Sequence, residues 1–283
     1  MISARDINKT FGEAKALSAV SLHVKPGEMV ALIGASGSGK STLIRMLSGL
    51  DGADADSGPI FLGAATIQDR GAVSRKIRAA RVGIGVIFQG FNLVGRLSVE
   101  TNVLLGALGR VPLWRALSRR FGAGERALAR EAMAKVGILE TAGRRASTLS
   151  GGQRQRAAIA RALAQKAQVI LADEPIASLD PESSRRVMEI LGKLNREEGM
   201  TIVVSLHQVD YAKKYCPRAV ALAGGRVFFD GPSSALTREK MGQIYGGEAL
   251  AELYGDEAER LAPQGAPRER ASGDAPWEAA SWN

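Results

Sequence analysis

Cysteine and histidine are scarce in this chain of 283 residues, which holds one cysteine, Cys216, and two histidines. A single cysteine cannot form a disulfide within the chain, and the Cys and His residues do not have the spacing of metal ligands. We therefore expect Cys216 to be a structural residue, and we expect neither a disulfide framework nor a Cys/His metal site.

Long apolar runs are also missing. The longest candidates, residues 29–33 and 201–206, have the length of strands, whereas a membrane-spanning helix needs roughly 18 to 20 apolar residues. The first residues show no basic start followed by an apolar stretch and a cleavage site. We expect a chain that does not itself cross a membrane and that stays in the cytoplasm. Its 45% of hydrophobic residues can bury a full core.

Acidic residues are few in the middle of the chain. Residues 70–130 contain twelve Lys or Arg and two acids, whereas residues 247–283 contain eight acids and three arginines. The basic segment is suited to lie near anionic lipid headgroups, and a solvated basic face explains it equally well. The net charge of +9 also raises the question of nucleic-acid binding.

The apolar segments occur in the order of a parallel α/β sheet. Residues 19–24 alternate as a half-exposed strand does, and residues 29–33 form a continuous apolar run typical of a strand buried on both faces. Helical spacing follows over residues 42–50. Two more buried-strand runs, residues 169–172 and 201–206, flank a helical pattern over residues 181–198. This order predicts crossover units and a parallel sheet covered by helices.

Residues 97–163 are mostly helix-like and predict a helical insertion, with breaks at Gly109, Pro112, residues 122–124 and Gly137. A short helical segment is predicted after residues 228–232 and extends to about Tyr254. Beyond Gly255 the composition turns to Ala, Pro, Gly and charged residues. We expect that tail to be mobile or docked on a partner.

A glycine-rich segment follows the first buried strand and precedes a helix, and it fits the phosphate-binding pattern G-x-x-x-x-G-K-[ST]. It consists of Gly34, Ala35, Ser36, Gly37, Ser38, Gly39, Lys40 and Ser41, with Thr42 next. Glycines let backbone N–H groups turn around a phosphate, and the helix N-terminus adds positive charge. Lys40 is predicted to reach the β- and γ-phosphates, and the Ser41 hydroxyl to coordinate Mg²⁺.

Two carboxylates, Asp173 and Glu174, stand at the end of the strand over residues 169–172. Ligands bind at the carboxyl ends of strands in such sheets. Asp173 is predicted to hold Mg²⁺ through water, and Glu174 to polarise the attacking water. An apolar strand that ends in Asp-Glu is common, so this pattern alone does not distinguish a catalytic pair from surface residues. Together with the glycine-rich segment of residues 34–41, it favours a catalytic role.

Residues 149–156, Leu-Ser-Gly-Gly-Gln-Arg-Gln-Arg, resemble the signature sequence of ABC ATPases. Ser150, Gly151, Gly152 and Gln153 precede a helix predicted over residues 154–164 and form an anion-binding N-terminus. Because the chain already has a phosphate loop, this second site suits the γ-phosphate of a nucleotide held by another copy. Standing alone, it would be interpreted as a capped helix.

The resemblance extends over about residues 1–246 and implies further roles. Phe11 matches the aromatic residue that stacks on adenine, and Gln89 matches the glutamine that senses Mg²⁺ and the permease. Asp180 matches the loop that crosses the dimer interface, and His207 matches the switch histidine. Phe11, Gln89 and His207 each have a structural interpretation if taken alone, and Asp180 is also placed to cap the helix that follows it.

The fold implied by this resemblance is α/β: a P-loop NTPase (RecA-like) core with a parallel sheet, an antiparallel β part at the N-terminus and an inserted α-helical subdomain. The ABC ATPase domain is expected over residues 1–246, with the subdomain at approximately 90–163, and the tail over residues 247–283.

The activity implied is ATP hydrolysis with Mg²⁺ by a head-to-tail homodimer that sandwiches two ATP molecules. Lys40, Glu174 and His207 would act in catalysis, and Ser41, Gln89 and Asp173 would hold the metal. Implied partners are two membrane-spanning permease subunits and, indirectly, a periplasmic substrate-binding protein. The location implied is peripheral, at the cytoplasmic face of the inner membrane.

Residues 91–104, 172–183 and 204–212 resemble the phosphonate import ATP-binding subunits within this family. The chain has Gly90 at a position where many relatives carry a second glutamine. This difference leaves the expected catalysis unchanged and alters the expected contacts with the permease. Phosphite or hypophosphite import stays open. A nucleic-acid-associated ABC ATPase is less favoured, because such proteins usually join two ATPase units in one chain or insert long coiled coils, and this sequence shows neither feature. No nucleic-acid partner is therefore expected. A stand-alone kinase or GTPase with the same phosphate-binding loop is also less favoured, because that function does not explain the signature-like residues 149–153.

Overall fold

The computed structural model describes residues 1–112, 114–115 and 121–246. The tail over residues 247–283, predicted to be mobile or docked, lies outside the described residues, as do Arg119 and Arg120 of the basic segment. None of the helices in the described ranges combines the length and the hydropathy needed to cross a membrane.

The described strands form two sheets. The sheet near the N-terminus is antiparallel in the order β2-β1-β4-β5-β6, with β1 Ile2–Phe11, β2 Ala14–Val24, β4 Ile60–Leu62, β5 Ala65–Asp69 and β6 Ala72–Val73. The second sheet has the order β11-β10-β3-β9-β8-β7, with β3 Met29–Ile33, β7 Ile84–Ile87, β8 Val169–Ala172, β9 Thr201–Ser205, β10 Arg218–Ala223 and β11 Arg226–Pro232. Its strands are parallel except for β11.

Helices cover the second sheet and fill the segment between β7 and β8. Those in the described residues are α1 Lys40–Leu47, α2 Ile77–Val82, α3 Val99–Leu104, α4 Ala123–Lys135, α5 Gly151–Ala164, α6 Pro181–Glu198, α7 Val209–Tyr215 and α8 Arg238–Tyr245. Short 3-10 turns occur at Leu105–Gly109, Leu139–Thr141, Ala146–Thr148 and Ser233–Ala235. The predicted α/β class, with a parallel sheet and an antiparallel part at the N-terminus, is confirmed.

Strand β3 shows why a continuous apolar run is needed. Met29, Ala31 and Ile33 belong to the core shared with the helices between β7 and β8. Val30 and Leu32 alternate with them and belong to the core shared with the antiparallel sheet. Since both faces of the strand are covered, every residue in it is buried.

Several predicted boundaries were close but shifted. The helix predicted over residues 42–50 runs over Lys40–Leu47, preceded by Gly39 in a left-handed conformation at φ +103°. The strand predicted to end at residue 206 ends at Ser205. The break predicted at residues 122–124 was wrong in extent, because α4 begins at Ala123, where the Glu125 carboxylate accepts a hydrogen bond from the Gly122 N–H.

One expectation near the end of the described chain also changed. Residues 228–232 belong to strand β11, and the helix after them begins at Arg238 and ends at Tyr245. The remainder of its predicted extent, to Tyr254, lies outside the described residues. Cys216 is buried, 1% exposed, and its burial raises the pKa of the thiol to about 12, as suits a structural residue.

Candidate active site

The glycine-rich loop of residues 34–41 connects β3 to α1. Gly34 adopts φ +145°, and a Cβ atom there would lie 2.2 Å from the carbonyl oxygen of Leu222. Gly39 adopts φ +103°, and its Cβ would lie 2.6 Å from the carbonyl oxygen of Ala16. Only glycine fits at these two positions, so the loop is held tightly against its neighbours while Ser36 and Gly37 face solvent.

Lys40 begins helix α1 and folds back over the loop. Its ammonium donates to the carbonyl oxygens of Gly34 at 2.8 Å and Ala35 at 3.0 Å. Burial lowers the pKa of Lys40, while the nearby carboxylates of Glu174 and Asp173 oppose that shift. The loop therefore holds a partly desolvated cation, which an anionic ligand would stabilise.

The Asp173 carboxylate joins the glycine-rich loop to the end of β8. Its Oδ1 atom accepts a hydrogen bond from the Ser41 hydroxyl at 2.9 Å and another from the Ser205 hydroxyl at 2.9 Å. A hydroxyl and a carboxylate are the oxygen ligands that Mg²⁺ prefers when it also binds phosphates. The residues present therefore fit a magnesium ion next to a nucleotide.

Glu174 and His207 are brought into direct contact. The Glu174 Oε1 atom lies 2.5 Å from His207 Nε2, and the Glu174 side chain is 15% exposed against 39% for the histidine. The Glu174 N–H donates to the Ser205 hydroxyl at 2.8 Å. A carboxylate held in this way, beside the Asp173 carboxylate and the glycine-rich loop, is suited to accept a proton from water.

The signature segment opens helix α5 through reciprocal capping. The Ser150 hydroxyl accepts from the Gln153 N–H at 3.2 Å, and the Gln153 side chain accepts from the Ser150 N–H at 3.0 Å. The helix consequently begins at Gly151, three residues before the predicted start. A Cβ on Gly152 would lie 2.5 Å from the Ser183 hydroxyl, so this helix end packs closely on the start of α6.

Asp180 caps helix α6, as the sequence allowed. Its Oδ1 atom accepts from the Ser183 N–H at 2.9 Å, and hydrogen bonding to Ser183 lowers the pKa of the Asp180 carboxyl. The capped start of α6 and the capped start of α5 therefore meet at Ser183.

In the part of the chain that the structure describes, the side chains of Phe11 and Gln89 make no hydrogen bond to the cluster of Ser41, Asp173, Glu174 and His207. Phe11 ends β1 with 53% of its surface exposed, and the Lys9 ammonium lies 5.1 Å from the centroid of its ring. Gln89 is exposed two residues after β7. Among the described residues, no hydrogen bond joins the Gln89 side chain to Asp173 or Glu174.

The segment after Gln89 is fastened to helix α5. Phe91 and Asn92 adopt left-handed φ angles of +60° and +50°, and their carbonyl oxygens accept from the Arg161 guanidinium at 3.3 and 2.5 Å. The Arg154 guanidinium lies 5.0 Å from the centroid of the Phe91 ring. The segment that follows Gln89 is therefore in contact with the helix that carries the signature segment.

Sequence reasoning missed two residues that connect the cluster. Ser205 bonds to both Asp173 and Glu174. The Tyr245 hydroxyl accepts from the Gly34 N–H at 3.2 Å and donates to the His207 carbonyl oxygen at 3.4 Å. Ser205 lies within residues 204–212, but no role was predicted for it, and Tyr245 belongs to no motif. The pairing of β9 with β8 and the docking of α8 bring the two residues to the cluster.

The sequence model of a protein family described as ABC transporter matches residues 17–177. The phosphonates import ATP-binding protein PhnC of Maricaulis maris is 56% identical, over 91% of this chain and 97% of its own. The phosphonates import ATP-binding protein PhnC 1 of Cupriavidus metallidurans is 58% identical, over 88% of each chain. An ATP-binding cassette solved as a dimer in a post-hydrolysis state with ADP and Pi has a TM-score of 0.71 and 32% identity, covering 82% of this chain and 99% of its own.

Proposed function

The chain belongs to the ABC transporter family of ATP-binding proteins, and on that premise we propose that it powers the import of phosphonates across the cytoplasmic membrane. The observation that carries the cargo is the identity of 56% and 58% to two proteins named phosphonates import ATP-binding proteins, over nearly their full lengths. Two contacts support the proposed ATP hydrolysis: the Ser41 hydroxyl bonds to Asp173, and the Glu174 carboxylate contacts His207.

ATP would bind with its phosphates on the glycine-rich loop. Backbone N–H groups of residues 34–41 and the start of α1 would surround the phosphates, and the Lys40 ammonium would exchange its carbonyl partners for phosphate oxygens. Phe11, exposed at the end of β1, would stack on the adenine. Thr42 follows in the first turn of the same helix.

Ser41 and Asp173 would hold Mg²⁺ beside the phosphates, with Gln89 joining them when its segment moves inward. When bound, Mg²⁺ neutralises charge on the β- and γ-phosphate oxygens. Glu174 would accept a proton from the water that attacks the γ-phosphorus, and the P–O bond to the β-phosphate would break. His207, 2.5 Å from Glu174, would orient that carboxylate and contact the γ-phosphate.

The working unit would be a head-to-tail homodimer with two nucleotides at its interface. Ser150, Gly151, Gly152 and Gln153 of one copy would complete the γ-phosphate contacts of the other, with Asp180 close to the interface. The dimeric form of a solved cassette that is 32% identical supports this arrangement. Binding would close the dimer and hydrolysis would let it open.

Closure would be passed to two membrane-spanning permease subunits, with a periplasmic substrate-binding protein delivering cargo. The Arg161 contacts to the segment after Gln89 support such a connection. The protein would then be peripheral at the cytoplasmic face of the membrane. We place the ATPase domain at residues 1–246, with a helical subdomain at approximately 90–163.

Reconstitution in liposomes with the permease and the substrate-binding protein tests the proposal. ATPase activity is measured with 2-aminoethylphosphonate and, separately, with phosphite. Stimulation by the phosphonate is the expected result. Stimulation by phosphite alone would assign the cargo to inorganic oxyanions, and activity that neither compound stimulates would contradict the proposed cargo.

A further inference from the structure

We propose that Ser205 is a positioning residue for ATP hydrolysis, which holds the Asp173 carboxylate and the Glu174 backbone in the geometry that the reaction needs. This inference rests on the proposed function, because it assigns Ser205 a task toward two residues placed in the catalytic machinery. No contact with the nucleotide is assigned to Ser205 itself.

The place of Ser205 in the sheet explains its reach. Strand β9 lies between β3, which is followed by the glycine-rich loop, and β8, which is followed by Asp173. Ser205 is the last residue of β9 and is paired with Leu32 of β3, one position beyond the pairing of Val204 with Ala172. Ser205 therefore stands at the carboxyl end of the sheet, between the strand that leads into the glycine-rich loop and the strand that leads into the two carboxylates.

Both hydrogen bonds of the Ser205 hydroxyl go to the acidic pair. It accepts from the Glu174 N–H at 2.8 Å and donates to Asp173 Oδ1 at 2.9 Å, and the residue is fully buried. The same Oδ1 atom accepts from Ser41 at 2.9 Å. One hydroxyl thus fixes the side chain of one acid and the main chain of the next, without water between them.

The backbone of Glu174 needs such support. It adopts φ +48°, a left-handed conformation that side-chain-bearing residues populate sparsely, and surrounding contacts have to maintain it. A buried hydroxyl in a strand is itself unfavourable unless it is hydrogen-bonded. Without the hydroxyl, the Asp173 side chain can rotate and the Glu174 backbone can relax, and small displacements of reacting groups reduce turnover strongly.

The test compares Ser205→Ala with Ser57→Ala. Ser57 is a matched control, since it is 3% exposed, accepts from the Asn8 N–H at 2.9 Å and donates to the Asn8 carbonyl oxygen at 3.0 Å, away from the acidic pair. Both variants are expected to lose similar thermal stability. Only Ser205→Ala is expected to lower kcat, by about tenfold or more.

Two further measurements separate positioning from general damage. The KM for ATP and the affinity for trinitrophenyl-ATP in EDTA are expected to stay within about twofold of wild type in Ser205→Ala, since Lys40 and the loop are unchanged. Ser205→Thr keeps the hydroxyl and is expected to turn over faster than Ser205→Ala.

A kcat of Ser205→Ala equal to that of Ser57→Ala would overturn the proposal, as would equal losses of kcat and of metal-free nucleotide affinity. Ser205→Thr turning over as slowly as Ser205→Ala would also overturn it. Glu174→Gln in the same assay separates the two levels of inference. If Glu174→Gln is inactive while Ser205→Ala turns over like wild type, only the role of Ser205 fails; if Glu174→Gln is fully active, the proposed site itself fails.

Discussion

Lys40 carries a charge that the fold partly desolvates before any nucleotide arrives. Burial lowers the pKa of Lys40 in the folded protein below the ordinary value of 10.5, which applies to the unfolded chain. At a pH between the folded-state pKa and the unfolded-state pKa, the unfolded chain therefore binds more protons than the folded one. The buried charge therefore reduces the stability of the nucleotide-free protein below the lowered pKa, and stability is regained as pH rises through it. Phosphate binding would compensate the same charge.

Nucleotide affinity should depend on the protonation of Lys40. ATP affinity of the wild type is expected to fall as pH rises towards the ordinary lysine pKa of 10.5, because the lowered pKa of Lys40 lets its ammonium lose the proton below that value. Lys40→Met is expected to bind ATP about 10- to 100-fold more weakly, since a hydrogen bond to a charged group contributes roughly 1.5–3 kcal/mol. Titration calorimetry across that pH range measures both effects.

The control is Lys193→Met, which removes an exposed lysine that pairs with Glu197 on α6. It should keep the affinity and the pH dependence of the wild type. If Lys40→Met shows the same fall in affinity with pH as the wild type, another group is responsible for the titration.

Motifs that each occupy one segment predicted residues that the fold brings close together, and the roles of those residues stay predictions. Ser41 and Asp173 were predicted from separate motifs to share a metal, and their side chains are in contact. Glu174 and His207, predicted to act together, lie 2.5 Å apart. No role was predicted for Ser205 or Tyr245, because their hydrogen-bond partners come from strand pairing and helix docking between remote parts of the chain.

Among the elements, the buried strand β8 and helix α6 have the predicted bounds, since continuous apolar residues and a Pro-led amphipathic pattern are strong local signals. Helix α5 begins earlier than predicted because capping by Ser150 and Gln153 outweighs the low helix propensity of two glycines. Strand β11 was not predicted, since its residues are only half-buried or exposed and it ends in a Gly-Pro pair, so it lacks the continuous apolar run of the other strands.

Ser150 is predicted to act twice, as the cap of α5 and as a ligand of the partner's nucleotide. Ser150→Ala is expected to lower the free energy of unfolding by about 1 kcal/mol, the usual effect of removing an N-cap. It is also expected to reduce ATPase activity well beyond that loss. Chemical denaturation and phosphate release measure the two effects separately.

Ser98→Ala provides the comparison, because Ser98 caps α3 by accepting from the Thr101 N–H at 3.1 Å. It should lose similar stability while the ATPase activity of the isolated subunit stays unchanged. Equal ATPase activity in the two variants would mean that Ser150 is only a helix cap.

At the scale of the whole molecule, the placement of two segments that are suited to bind anions determines how a nucleotide would be bound. The glycine-rich loop joins β3 to α1 in the parallel sheet, while the signature segment opens α5 and packs on the start of α6. Each is built separately, with its own helix N-terminus, so each can take phosphate oxygens. A nucleotide on the loop of one copy and the signature segment of another would satisfy both, which is the arrangement proposed for the homodimer.

Glu174→Gln should trap that dimer. The amide keeps the size of the side chain and cannot accept a proton from water, so ATP is expected to bind and close the dimer without being hydrolysed. Size-exclusion chromatography with light scattering in ATP and Mg²⁺ should show twice the mass of one chain, with phosphate release near background. Glu189→Gln, which changes an exposed carboxylate paired with Arg185 on α6, should hydrolyse ATP like the wild type and show no such trapped dimer. A normal hydrolysis rate in Glu174→Gln would contradict the assignment of the base, because no proton acceptor would then be missing from the reaction.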